Sequence, residues 1–329
     1  MVKKVLPALT LKDRMLRQGV VPYGTRILVG VSGGIDSTAL LHLLFDLRHD
    51  LALDIVVAHY DHALRKGSVR DRVFVQKMAR ELGLEFTWER NKTRLPGGVS
   101  IEEFARERRF DFFVRSAHSL KAAAVVLGHT QDDLAETVLM RIFRGTALAG
   151  LRSILNARRI NGVIFLRPML EFTRGELEDL LCRRRIAHTE DASNSSDLFL
   201  RNRIRRDLLP YIAKDFAPAI RKKLAEMAVL ASADHEFIEG EFIKIFPGLL
   251  LKVNDGVALS RKKYAALPSS FQYRVWREGL RIIGETLEFD LIDALIKAAS
   301  KSAGGRVSLR NNLMLDLDGA RMHLYKTKP

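Results

Sequence analysis

A short glycine-rich segment is the first place where the residue types suggest chemistry: Ser32-Gly33-Gly34-Ile35-Asp36-Ser37. Adjacent glycines let the backbone turn tightly, so that several N–H groups can point at one place. A helix that begins just after such a turn adds the positive end of its dipole. The segment therefore predicts an anion-binding loop, and a purely structural turn is the alternative.

Two common phosphate-binding motifs do not match this loop. The motif G-x-x-x-x-G-K-[ST] is absent because no lysine follows the glycines, and G-x-G-x-x-G does not fit the spacing of Gly30, Gly33 and Gly34. A loop without lysine can take positive charge from a metal ion instead. Asp36 is the carboxylate that we expect to help bind Mg²⁺.

A pair of acidic residues follows in the segment HTQDDLAET. Asp133 and Glu136 are three positions apart, so on a helix they share a face and can hold a metal ion or an ammonium group. The alternative is an acidic helix start that is favoured by the helix dipole. Asp132 is expected to point away from that face.

The basic residues are unevenly distributed along the chain. The net charge is +15, and residues 141–223 contain 18 Lys/Arg against 9 Asp/Glu. This concentration of positive charge favours a polyanionic partner, with nucleic acid as the first candidate. The alternative is a basic surface that contacts only solvent. The densest stretch suits phosphates and base edges: Arg201, Asn202, Arg203, Arg205 and Arg206.

The remaining composition excludes several classes of protein. Cys182 is the single cysteine, so an intramolecular disulfide, a cysteine-based zinc site and a cysteine-held iron–sulfur cluster are excluded, and we expect Cys182 to be buried. No apolar run approaches 18 residues, and the basic N-terminus does not match a signal peptide. A cytoplasmic protein without a membrane span is expected.

Strand and helix patterns alternate over residues 26–166, which predicts an α/β fold: a parallel sheet with helices on both faces. The predicted strands are 26–31, 53–59, 84–88, 123–128 and 162–166, and the predicted helices are 37–47, 67–82, 100–119, 130–143 and 174–185. Capping boxes are predicted for Ser100 with Glu103 and for Thr173 with Glu176. The loop, the acidic pair and His59–Arg65 all follow strands, so they should converge at one edge of the sheet.

A second domain is predicted after the sheet. We place the catalytic domain at residues 1–215 and a smaller, mainly helical domain at 216–329. The latter should end in a β-hairpin, because its last residues alternate in polarity around Asp318-Gly319.

The form S-G-G-x-D-S resembles the PP-loop of the N-type ATP pyrophosphatases, which cleave ATP between its α- and β-phosphates. Four further segments resemble the tRNA(Ile)-lysidine synthetase family, and the likeness covers most of residues 26–212. These segments are AHYDHALRKGS, SIEEFARERRFDFF, LGHTQDDLAETVLMRIFRGTALAGL and EDASNSSDLFLRNRIRRDLLP.

The resemblance implies an ATP-dependent carbon–nitrogen ligase. Members join lysine to C2 of the first anticodon cytidine, C34, of the tRNA(Ile) whose anticodon is CAU, through an adenylated cytidine, releasing AMP and pyrophosphate. The product decodes AUA and accepts isoleucine instead of methionine. The implied ligands are ATP, Mg²⁺, free L-lysine and tRNA(Ile); a homodimer is compatible with the sequence.

The resemblance also implies roles for individual residues. The expected catalytic residues are Asp36, Asp133, Glu136 and Arg205. The expected ATP-binding residues are Ser32, Gly33, Gly34, Ile35, Asp36, Ser37, His62 and Arg109. Asp133 and Glu136 are expected to bind lysine and Asp36 to bind Mg²⁺. The residues expected to bind tRNA are Arg201, Asn202, Arg205 and Arg206. Arg65 and Arg106 are expected beside the nucleotide, and Asp191, Ser193 and Asn194 are expected to order a loop.

Several alternatives stay open at this stage. His59 can be a structural histidine, and His59 with His62 has too few partners for a zinc site. Arg106 and Arg109 can form a basic solvent face. For the whole protein, the rivals are a PP-loop tRNA thiolation enzyme, a small-molecule adenylating synthetase and a non-catalytic RNA-binding protein.

Overall fold

A computed structural model describes residues 23–63, 67–93, 98, 100–189, 200–301 and 304–327. Within these ranges no helix is both long and apolar enough to cross a membrane. The contacts between Cα atoms divide the chain into two units, residues 1–232 and 233–329. The division falls inside a helix, and the domain boundary after residue 215 stays a prediction.

The first unit is built on a six-stranded sheet in the order β3-β2-β1-β4-β6-β5. The strands are β1 (Arg26–Gly30), β2 (Asp54–Asp61), β3 (Glu85–Arg90), β4 (Ala124–Leu127), β5 (Ala157–Ile160) and β6 (Val163–Leu166). All neighbours are parallel except β5, which pairs antiparallel with β6 at one edge. The five predicted strands are confirmed, and β5 was not predicted.

Helices connect the strands of this sheet. They are α1 (Ile35–Leu47), α2 (Ser68–Glu81), α3 (Ile101–Ser119), α4 (Gln131–Phe143), α5 (Leu148–Leu151) and α6 (Arg174–Arg183). The two faces of β1 pack into different apolar clusters: Ile27 and Val29 belong to the cluster that contains the leucines of α1, whereas Leu28 packs with Phe112 and Phe113 of α3. The sheet is therefore covered on both faces, as predicted.

Local details differ from two predictions. The capping box of Thr173 with Glu176 is present, but the Ser100 side chain makes no capping hydrogen bond at the start of α3. Cys182 is exposed, and its predicted burial is wrong. The reason is helical position, because Leu177, Leu180 and Leu181 already form the buried face of α6.

A helical segment follows the sheet. It consists of α7 (Leu200–Arg203), a π-helical segment (Ile204–Leu208), α8 (Leu209–Asp215) and the long helix α9 (Ile220–Ile245). Ile204 and Leu209 are fully buried against Leu134 and Val138 of α4. This packing fixes the residues around position 205 beside the first turns of α4.

The second unit has its own core and its own sheet. Its elements after α9 are β7 (Leu250–Val253), β8 (Gly256–Ser260), α10 (Arg261–Ala265), α11 (Ser269–Ile282), α12 (Phe289–Ala299), β9 (Gly305–Leu309), β10 (Leu313–Leu317) and β11 (Arg321–Lys326). The predicted terminal hairpin is β10–β11, and it lies within a five-stranded antiparallel sheet of order β7-β8-β11-β10-β9. The buried Trp276 donates from Nε1 to the hydroxyl of Tyr264 at 2.8 Å.

Candidate active site

The glycine-rich segment forms a compact loop between β1 and α1. The backbone N–H of Ser32 donates to Oγ of Ser37 at 3.1 Å, and the two serine hydroxyls are also 3.1 Å apart. Gly34 is the N-cap of α1 and has no side chain to cap the first turn. The amides at the start of α1 therefore keep their capacity to bind an anion.

Glycine is required at position 33 for two reasons. Gly33 has φ +97°, a conformation that costs residues with a Cβ atom about 1–2 kcal/mol. A Cβ atom there would also lie 2.8 Å from Oγ1 of Thr189, whose backbone N–H donates to the Gly33 carbonyl at 2.8 Å. At Gly34, by contrast, the nearest atom to a Cβ would be 3.7 Å away.

Asp36 lies in the first turn of α1, directly after the loop. One carboxylate oxygen, Oδ2, is 3.6 Å from Nη1 of Arg174, and the other, Oδ1, is buried without a hydrogen-bond partner among the described residues. Burial, and then the charge of Asp133, raise the pKa of Asp36 to about 6 against the opposing effect of Arg174 and Arg205. The negative charge of the Asp36 carboxylate is therefore only partly balanced by the neighbouring arginines.

Asp133 and Glu136 are joined to two arginines in a cluster of four charged side chains. Arg201 donates from Nη2 to Oδ1 of Asp133 and from Nε to Oε2 of Glu136, both at 2.7 Å. Arg205 donates from Nε to Oε1 of Glu136 at 2.5 Å and from Nη2 to Oε2 at 3.0 Å, and Nη2 is also 3.4 Å from Oδ1 of Asp133. The two carboxylates therefore do share a face, and both are engaged.

The start of α4 holds Asp133 in place. Oδ2 of Asp133 accepts from the backbone N–H of Thr130 at 2.8 Å and from its hydroxyl at 3.1 Å, a capping box with aspartate in the third position. Burial works to raise the pKa of Asp133, but Arg201, His129, the Thr130 N–H and Arg205 together lower it. Asp133 is thus ionised. Its Oδ2 caps the start of α4, and its Oδ1 contacts the two arginines.

Arg201 and Arg205 reach these acids because they lie four residues apart in the helical segment that packs against α4. Position 201 lies in α7 and position 205 in the π-helical segment, and the two are four residues apart. Their charged state is favoured: burial works to lower both pKa values, but the two carboxylates raise them above the ordinary value. The side chains are 28% and 30% exposed, so this cluster faces solvent on the arginine side.

Three further predicted residues are Arg109, which interacts electrostatically with this cluster, and the histidines His59 and His62. Arg109 interacts electrostatically with Arg201 and Asp133. Its burial, followed by the charges of Arg201 and Arg106, lowers its pKa to about 10. His59 is buried at 4% exposure, with Nδ1 2.9 Å from the carbonyl oxygen of Val31, which fits the structural alternative. His62 packs edge-on against the ring of Tyr60, with 5.0 Å between ring centroids.

Some predicted residues lie apart from the cluster or outside the described structure. Arg206 is exposed and its Nε is 2.9 Å from Oδ1 of Asp207, and Asn202 is half-buried in α7. Four positions that the sequence singled out fall outside the described residues: Arg65, Asp191, Ser193 and Asn194. The roles of all these residues stay predictions.

Three residues near the site were missed by the sequence analysis: Arg174, Arg221 and Thr189. Arg174, beside Asp36, is the first residue of α6, a position at the carboxyl end of the sheet that the topology could have indicated. Asp132 accepts from the backbone N–H of Arg174 at 2.9 Å and lies 2.9 Å from Nε of Arg221. It thus points away from Asp133 as predicted. Thr189, behind Gly33, carried no sequence signal.

Comparisons with known proteins agree with this architecture. A family model described as a PP-loop domain matches residues 10–212. A tRNA(Ile)-lysidine synthase from Solibacter usitatus is 36% identical over 285 residues, which cover 85% of this chain and 63% of the relative. The chain therefore spans less than two thirds of that protein's length.

A shorter relative is covered almost completely. The tRNA(Ile)-lysidine synthase of Gloeobacter violaceus is 35% identical over 304 residues, or 92% of this chain and 91% of the relative. Among solved structures, the U34-tRNA thiolase NcsA from Methanococcus maripaludis with its [4Fe-4S] cluster has a TM-score of 0.59 at 19% identity. That alignment covers 68% of this chain and 77% of NcsA and shows a shared fold.

Proposed function

The chain belongs to the tRNA(Ile)-lysidine synthase family of PP-loop proteins, and from this we propose that it ligates lysine to C2 of cytidine 34 in tRNA(Ile) with a CAU anticodon. ATP would adenylate the C2 oxygen, pyrophosphate would leave, and the lysine ε-amine would then displace AMP. The observation that carries the proposal is one arrangement: an anion-binding loop at Asp36, within electrostatic reach of the buried Asp133.

The loop is suited to the β- and γ-phosphates. Gly33 and Gly34 bring backbone amides and the start of α1 to one point without a side chain between them. Arg109 and Arg174 supply positive charge near the same edge of the sheet. With its distal phosphates held there, ATP would leave its α-phosphorus open to the cytidine oxygen.

Asp36 is suited to Mg²⁺. Its buried Oδ1 has no hydrogen-bond partner among the described residues, and a carboxylate oxygen is a ligand that Mg²⁺ prefers. Within the described ranges no three acidic, histidine or cysteine side chains form a metal site, so phosphate and water would complete the coordination. When bound, Mg²⁺ would offset the charge that develops on pyrophosphate.

The four-residue cluster defines how lysine would bind. Two carboxylates and two guanidinium groups already neutralise each other, so an entering ε-ammonium must replace an arginine contact. The 3.4 Å contact between Arg205 and Asp133 is the longest of the set, and we propose that it exchanges first. Asp133, with its lowered pKa, would hold the ammonium as an ion partner and not as a proton acceptor.

A labelling experiment tests the proposal. The protein is incubated with ATP, Mg²⁺ and labelled L-lysine, and separately with tRNA(Ile) and tRNA(Met) that share the CAU anticodon. We expect label on tRNA(Ile) alone, and loss of tRNA-dependent ATP–pyrophosphate exchange in Asp36→Ala. The exposed Asp179→Ala is the matched control. Full exchange by Asp36→Ala, or the absence of label on tRNA(Ile), would contradict the proposal.

The same experiment separates the rival functions. A small-molecule synthetase would release pyrophosphate without tRNA. A thiolation enzyme would require sulfur chemistry, for which this sequence offers the single, exposed Cys182. A non-catalytic RNA-binding protein would bind tRNA and give neither exchange nor label.

A further inference from the structure

A group of arginines in the first unit lies together without acidic partners. We call it the arginine cluster, and its members are Arg106, Arg109, Arg141, Arg144, Arg152, Arg158 and Arg167. Arg141 interacts electrostatically with Arg106, Arg152, Arg158 and Arg144, and Arg167 interacts with Arg158, Arg106 and Arg109. The cluster therefore joins α3, the end of α4 and the edge strand β5 in one positively charged region.

Among the described residues, the arginine cluster lacks the carboxylate partners that several other arginines of the first unit have. Arg26, Arg115 and Arg184 each pair with a carboxylate. Within the described ranges, by contrast, none of the seven members of the arginine cluster forms an ion pair. Arg141 donates to the carbonyl of Gly150 at 2.5 Å, and Arg167 donates to that of Leu155 at 2.9 Å.

Two members also bury unused hydrogen-bond donors. The Nε atoms of Arg109 and Arg167 have no acceptor among the described residues, and Arg167 as a whole is only 5% exposed. Burial, and then neighbouring arginines, lower the pKa of each of these two residues to about 10. Such a cluster is costly to hold together and would be stabilised by bound anions.

The distribution of charge indicates a long anion and not a single phosphate. Three exposed members lie at separate places: Arg106 in α3, Arg144 directly after the end of α4, and Arg158 in β5. Phe143, just before Arg144, is 56% exposed and offers a flat ring to the solvent. Basic side chains around an exposed aromatic ring are the pattern that binds nucleic acid with unpaired bases.

We propose that the exposed members of the arginine cluster bind the phosphate backbone of the substrate RNA beside the Asp133–Glu136 pair, with Phe143 as a stacking surface for an unpaired base. This inference rests on the proposed function and places the path of the RNA toward the carboxylates that we propose to bind lysine. Arg109 connects the two regions, because it interacts with Arg106 on one side and with Asp133 and Arg201 on the other.

Equilibrium binding to tRNA at several salt concentrations tests the inference. In the double variant Arg144→Gln/Arg158→Gln, we expect Kd to rise about tenfold at 150 mM salt and the slope of log Kd against log salt to fall by about 1–2. Because phosphate contacts carry no sequence information, tRNA(Ile) and tRNA(Met) should weaken equally. Phe143→Ala should weaken binding about fivefold or more with the slope unchanged, since stacking is not ionic.

The matched control removes the same charge elsewhere: Arg80→Gln/Arg183→Gln, at two exposed positions outside the cluster. Thermal melting checks that each variant folds. If the double variant does not fold, the single variant Arg158→Gln is measured instead, with about half the expected change in slope. The same Kd and slope in the cluster variant and the control would overturn the inference. Binding of the protein to phosphatidylserine vesicles but not to tRNA would also overturn the inference.

The outcome can be separated from that of the proposed function. Lysidine formation by the unmodified protein is measured in the same preparation. Failure to form lysidine would contradict the proposed function, whereas lysidine formation with no effect of the cluster variants on tRNA binding would contradict the arginine cluster alone.

Discussion

Nε of Arg205 lies 2.5 Å from Oε1 of Glu136, whose side chain is fully buried, although the two residues are 69 positions apart. Nε of Arg201 lies 2.7 Å from the other oxygen of the same carboxylate. The buried acid therefore depends on a helix that folds against α4 from a distant part of the chain. Residues that we propose to act in the reaction therefore also make contacts that hold the fold together.

Removing the charge of Glu136 should affect stability and activity together. Glu136→Gln leaves Arg201 and Arg205 with one carboxylate fewer, and hydrogen bonds to charged groups contribute about 1.5–3 kcal/mol. We expect a lower urea midpoint and a loss of lysidine formation of about 100-fold or more. The exposed Glu178→Gln is the control, and a variant as stable and active as that control would contradict the role of Glu136.

Asp36 should make the protein less stable as the pH rises. Because the folded pKa of about 6 exceeds the unfolded value of 3.8, the native state binds more protons than the unfolded state between these values. The resulting cost is absent below pH 4, grows through pH 6 and reaches at most about 3 kcal/mol. Asp36→Asn should therefore be more stable than the parent at pH 8 and equal to it at pH 4.

Urea denaturation of parent and Asp36→Asn from pH 4 to 8 measures this difference. Asp179→Asn, at an exposed position of α6, controls for the loss of one surface charge. A difference between parent and Asp36→Asn that is independent of pH would show that Asp36 does not titrate as proposed.

His129 should act in the opposite direction. Burial first, and then the charges of Arg167, Arg109 and Arg201, lower the pKa of His129 to about 3. The unfolded chain therefore binds a proton at His129 near pH 6.5, whereas the native state does not. The parent should thus lose stability relative to His129→Gln as the pH falls below 6.5, by up to about 1.4 kcal/mol per pH unit. His49→Gln, at an exposed position, is the control variant.

The two loop glycines should differ in their tolerance of alanine. Gly33→Ala combines a positive φ with a contact of 2.8 Å to Thr189, so we expect a loss of at least about 1–2 kcal/mol and of ATP binding. Gly34→Ala meets no atom closer than 3.7 Å and should keep the stability of the parent. Thermal melting and ATP titration of both variants check this, and equal stability of the two would refute the strain at position 33.

Five of the six strands and the five long helices between residues 26 and 185 were predictable because each carries a complete local signal. The buried parallel strands are continuous apolar runs, and the helices place apolar residues at helical spacing. The strand β5 was missed because its sequence, ARRI, has two exposed arginines and pairs only at the edge of the sheet. The strands β7 and β8 were missed because both are short, and because β8 joins the sheet by pairing with β11, which is distant in sequence.

The candidate site shows the same division. The phosphate loop and the spacing of Asp133 and Glu136 are local features, because a tight turn and a helix face depend on neighbouring residues alone. Sequence alone therefore predicted an anion-binding loop next to a pair of carboxylates. Only the tertiary structure decided that Arg201 and Arg205 neutralise this pair and that Arg174 faces Asp36, because those contacts join segments distant along the chain. Charge compensation in a folded protein depends on distance in space, which residue spacing does not determine.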